Sequence, residues 1–73
     1  MNPLQTAAVA HFEAQRTRAL ANLQVYLSNP VGIGEHSDIV EEVVSMIETI
    51  AHAEDCLEVL SRVVDAPTDE EVE

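Results

Sequence analysis

The sequence predicts an all-α fold: an antiparallel two-helix hairpin that assembles into a four-helix bundle or a larger helical homo-oligomer. Three observations carry this. Two long segments free of internal glycine and proline repeat their apolar residues every three or four positions. A short cluster holding one proline and two glycines separates them. The second segment also carries more apolar surface than one neighbouring helix can cover. Hairpin and loop together span residues 1–66, with a helix over 4–28, a loop over 29–37 and a helix over 38–65.

The first helix is rich in alanine (Ala7, Ala8, Ala10, Ala14, Ala19, Ala21), the strongest helix former. Pro3 suits the first helical position, where its missing N–H costs nothing, and Asn2 is the expected N-cap. Val9, Phe12, Ala19, Leu20, Leu23, Tyr26 and Leu27 share one face. Asn29 precedes Pro30 and is thereby pushed out of the helical region. Gly32 and Gly34 then allow a sharp reversal, and Val31 and Ile33 are expected to fold back over the end of the core.

The second helix opens with Asp38 and Glu41 in capping-box spacing. One heptad row reads Val43, Ile50, Leu57, Val64, and its companion reads Ile39, Met46, Ala53, Leu60. Beside them runs a second stripe, Val40, Val44, Ile47 and Ala51, the expected oligomer interface. Glu58 and Arg62 form an i, i+4 pair in the favourable order. Pro67 ends the helix, and residues 67–73 form an acidic tail. At about 1.5 Å per residue the two helices are each about 40 Å long, so they match when folded antiparallel. That register sets Leu27 against the Ile39–Val40 turn, Leu23 against Val43 and bulky Phe12 beside small Ala53. It also offers Arg16 to Glu54.

Seventy-three residues allow one domain, close to the lower size limit for a self-sufficient core. The single cysteine, Cys56, excludes a disulfide within the chain. With no basic, apolar leader at Met1–Gln5, the protein is expected in the host cytoplasm or virion and not secreted. Nothing approaches the roughly 20 apolar residues of a membrane span. Fourteen acids against three arginines give a net charge of −11, which argues against nucleic-acid phosphates and anionic membranes as partners. The hydrophobic share of 47% is that of a globular chain, which excludes an acidic disordered protein.

Four constellations bear on chemistry. Glu48, His52 and Cys56 lie on adjacent turns and are zinc-ligand types, yet the spacing departs from the Glu-x-x-His of di-iron bundles. They read as two solvated side chains and a small residue at the core edge, so neither metal nor cofactor is expected. Gly32, Gly34 and His36 are the candidate ligand-binding residues, since a Gly-x-Gly loop before a helix can cradle an anion. Glu35, Asp38, Glu41 and Glu42 crowd the same place and oppose one. His36 has no evident nucleophile or oxyanion donor beside it, so no enzyme is expected. Glu41, Glu42, Glu48, Asp55 and Glu58 form an acidic face that could imitate nucleic acid.

The run Tyr26-Leu27-Ser28-Asn29-Pro30-Val31-Gly32-Ile33-Gly34-Glu35-His36, followed by Asp38-Ile39-Val40-Glu41, resembles a segment of small uncharacterised proteins of tailed bacteriophages. The likeness spans about residues 20–62, with Asn-Pro-Val-Gly-Ile-Gly-Glu-His its most distinctive part. It implies a viral origin and brings no functional residues with it. The leading expectation is therefore a non-enzymatic phage structural or accessory protein, a self-associating module that engages a phage or host protein. One alternative is an anti-defence sponge holding a small nucleotide signal between subunits; another is an acidic inhibitor imitating nucleic acid.

Overall fold

The computed structural model describes residues 2–28 and 38–65. Helix α1 runs Pro3–Ser28 and helix α2 runs Ile39–Asp65, and the two pack against each other. The fold is all-α, and among the described residues there is no strand.

Capping explains where each helix begins. Asn2 Oδ1 accepts from the Gln5 N–H at 2.9 Å, and Gln5 Oε1 accepts from the Asn2 N–H at 3.0 Å. This reciprocal pair satisfies two backbone donors that would otherwise lack partners in the first turn. Asp38 caps α2, its Oδ1 accepting from the Glu41 N–H at 3.2 Å. Glu41 and Glu42 then place negative charge on the positive end of the helix dipole, and Arg62 sits near the opposite end. At the end of α1 the Ser28 hydroxyl donates back to the Gln24 carbonyl, one turn earlier, at 2.6 Å.

The seam between the helices follows the heptad rows of α2. Ile39, Val43, Met46, Ile50, Leu57 and Leu60 are half-buried, and Ala53 is fully buried at 0% exposure. From α1 come buried Ala19 and half-buried Val9, Phe12, Leu23 and Tyr26. Among the described residues the two buried apolar positions are alanines, whose small side chains let two backbones approach closely. No large side chain among the described residues is fully buried. The Phe12 ring lies 6.2 Å from the His52 ring, which places Phe12 beside the turn that carries Ala53, as the antiparallel register requires.

Some details differ from expectation. Leu20 and Leu27 are 39% and 66% exposed, and polar Gln5, Gln15 and Arg16 are half-buried beside the seam instead. Long polar side chains can lay their methylenes along an apolar surface, and at Gln15 the amide oxygen is buried as well. Leu27 and Val40 (71% exposed) stay in the open, so the hairpin does not close that turn by itself. The ion pair among the described residues is Arg62–Glu58 at 3.7 Å, and the Arg16–Glu54 bridge is not formed. Both side chains of the existing pair are about two-thirds exposed, so solvent screening leaves it little weight.

Enlarging an enclosed alanine should therefore force the helices apart. Ala53→Leu is expected to lower stability by about 1–3 kcal/mol, read as a lower urea midpoint by far-UV circular dichroism. Ala10→Leu, on the exposed side of α1, should stay within about 0.5 kcal/mol of the parent.

Candidate functional site

Two uncovered apolar surfaces flank the seam. Successive residues in a helix turn by about 100°, so Val40, Val44, Ile47 and Ala51 lie on one side of α2, about 120° from the seam. Cys56, Val59 and Val63 lie about 120° away in the other direction. On the first surface Val40, Val44 and Ile47 are 71%, 46% and 51% exposed, and Ala51 is exposed too. These are the four residues the periodicity selects as an oligomer interface, and the hairpin leaves all of them in the open.

The clefts show which flanks of the two helices share a side. Gln15, Arg18, Ala19 and Asn22 of α1 line a cleft of about 190 Å³ with Ser45, Met46 and Thr49 of α2, on the side away from the Val40 stripe. Leu20 and Leu27, on the opposite flank of α1, therefore lie on the same side as Val40, Val44 and Ile47. One apolar face thus spans both helices near the loop end. Gln15 Oε1 is buried at the cleft and finds no hydrogen-bond partner in the protein.

The second surface is a groove of about 450 Å³ near the free ends of the helices. Ala8 and Phe12 of α1 form one wall, and His52, Asp55, Cys56, Val59 and Leu60 of α2 form the other. His52 is exposed and Cys56 half-buried, with Cys56 Sγ 3.6 Å from His52 Nε2. The Phe12 ring meets the His52 ring edge-on at an interplanar angle of 69°, and His11 packs edge-on to Phe12 at 4.9 Å. Such edge-to-face contacts hold aromatic rings in preferred orientations.

Glu48, also exposed, stands one turn before His52. Among the described residues no group of three or more His, Cys, Asp or Glu is gathered to hold a metal. Gly32, Gly34 and His36 lie outside the described residues. No helix among those described is long and apolar enough to cross a membrane. The groove went unread in the sequence because its residues come from both helices. The visible signal was Cys56, Val59 and Val63 at helical spacing, off the two main rows. Comparison with family models, curated proteins and solved structures finds no match.

Exposure of the Val40 face leads to a simple test. A side chain that stays in water contributes little to stability, whereas one covered by a partner contributes measurably. Val40→Ser in the isolated hairpin should shift stability by less than about 0.5 kcal/mol. A cost that grows with protein concentration, read from urea midpoints at several concentrations, would mark coverage by another copy.

Proposed function

We propose that this chain is a non-enzymatic, self-associating helical module, a phage structural or accessory protein of the virion or host cytoplasm. The observation that carries the reading is the apolar face formed by Val40, Val44 and Ile47, contiguous with Leu20 and Leu27 and left open by the hairpin. Exposed apolar patches of this kind mark interaction surfaces.

A second copy is the simplest cover. With two copies of α2 antiparallel, Val44 of one meets Ile47 of the other, and Val40 meets the small Ala51. The stripe is complementary to itself, as a twofold interface requires. Native mass spectrometry in the presence of a chelator tests this. The parent chain should form a dimer or larger assembly, and Val44→Glu with Ile47→Glu should reduce it to single chains. A monomeric parent, or an unchanged mass in the double variant, overturns the reading.

The acidic face supports a second reading. Glu41, Glu48 and Asp55 are exposed at seven-residue intervals on the outer side of α2, a ridge of negative charge suited to a basic groove. An inhibitor imitating nucleic acid should retain a basic host protein at low salt and release it at high salt. Empty pull-downs at low salt would remove this reading.

A further inference from the structure

Spacing in the sequence leaves His52 and Cys56 without a role; the distance between their ligand atoms supplies one. Cys56 Sγ and His52 Nε2 stand 3.6 Å apart at the edge of the apolar groove. A tetrahedral zinc ion binds thiolate sulfur at about 2.3 Å and imidazole nitrogen at about 2.05 Å, which sets the two donor atoms about 3.6 Å apart. Hydrogen-bonded to each other in the single chain, the two side chains already hold the separation that a shared zinc ion imposes. Structural zinc takes four protein ligands, however, and the described residues of one chain bring together no group of three.

We propose that each chain carries half of a zinc site, and that a second copy supplies the other half. The metal sits on a twofold axis between two groove faces, held by Cys56 and His52 from each copy. A twofold contact brings the same surface of both copies to the axis, so a two-residue half-site becomes a four-ligand Cys₂His₂ set. Val59 and Val63, 46% and 56% exposed beside the ligands, are covered by the same contact. Phe12 acts as a positioning residue, its ring edge-on to His52 and limiting how that imidazole turns. Charge favours a cation here. Each chain bears −11, and Asp55 lies in the groove, so a divalent ion offsets part of the repulsion between copies. On binding, each Cys56 thiol gives its proton to solvent, and thiolate and neutral imidazole donate electron pairs to the metal. Two protons leave per zinc ion, and nothing is oxidised or reduced.

This contact uses the groove face, whereas the proposed self-association uses the Val40–Ala51 face, so either can fail alone. The full chain, stripped with a chelator, is titrated with zinc alone and, separately, with cobalt(II). Native mass spectrometry should find one metal per two chains and a doubling of the metal-free assembly mass. Cobalt should give a thiolate charge-transfer band and the intense visible bands of a tetrahedral site. Cys56→Ser and His52→Ala, both at partly or fully exposed positions, should keep their helical circular dichroism and lose the bound metal and the mass doubling. Val44→Glu with Ile47→Glu should still take one zinc per two chains. No bound metal, one metal per single chain, an octahedral cobalt spectrum, or metal retained by Cys56→Ser would each overturn the proposal.

Discussion

A pair of helices shares a single seam, and among the described residues the apolar side chains it buries are Ala19 and Ala53. Alanine brings the backbones close and loses no side-chain entropy on burial, but it buries little apolar area. The larger residues, Val9, Phe12, Leu23 and Tyr26 on one side and Ile39, Val43, Met46, Ile50, Leu57 and Leu60 on the other, are covered only in part. Hydrophobic stabilisation scales with the area removed from water, so a seam of this kind leaves the chain short of what a larger domain gains. The open faces on either flank are the direct geometric result. Each is surface that a third or fourth helix would cover in a bundle.

Much of this was legible before any coordinates. The rows of α2 are regular because Val, Ile, Leu and Met fall at heptad positions almost without interruption, and Ile39, Val43, Met46, Ile50, Ala53, Leu57 and Leu60 all lie in the seam. The stripe through Val40, Val44 and Ile47 was equally plain, since a helix with apolar residues on two sides cannot hide both in one contact. Helix α1 was harder. Its seam positions include Gln5, Gln15 and Arg16, whose polar ends mask their role in any reading by hydropathy. Leu20 and Leu27, assigned to the core by their apolar character, fall on its open edge.

The start of α1 shows a different gap. Asn2 was recognisable as a cap, while Gln5, three residues on at the capping-box position, is a signal of residue type that went unread. The Cys56–His52 distance had no such signal. A spacing of four says that two side chains share a face, and only their rotamers, set partly by Phe12 from the other helix, say how far apart their atoms stand. Contacts that depend on both helices at once, including the groove beside Ala8 and Phe12, had no signature in either segment alone.

The two open faces point away from each other and sit at opposite ends of the hairpin. A molecule with one adhesive patch stops growing when two copies meet, because the patch is then consumed. A molecule with two such patches on opposed sides has no built-in terminus, and geometry alone would let it extend into rings or strings. Long-range repulsion would oppose such growth. Every added copy would bring its own excess of carboxylates, so the electrostatic work of enlarging a cluster would climb faster than the number of new contacts. Ionic strength, by shortening the reach of that repulsion, would then control how many copies could gather.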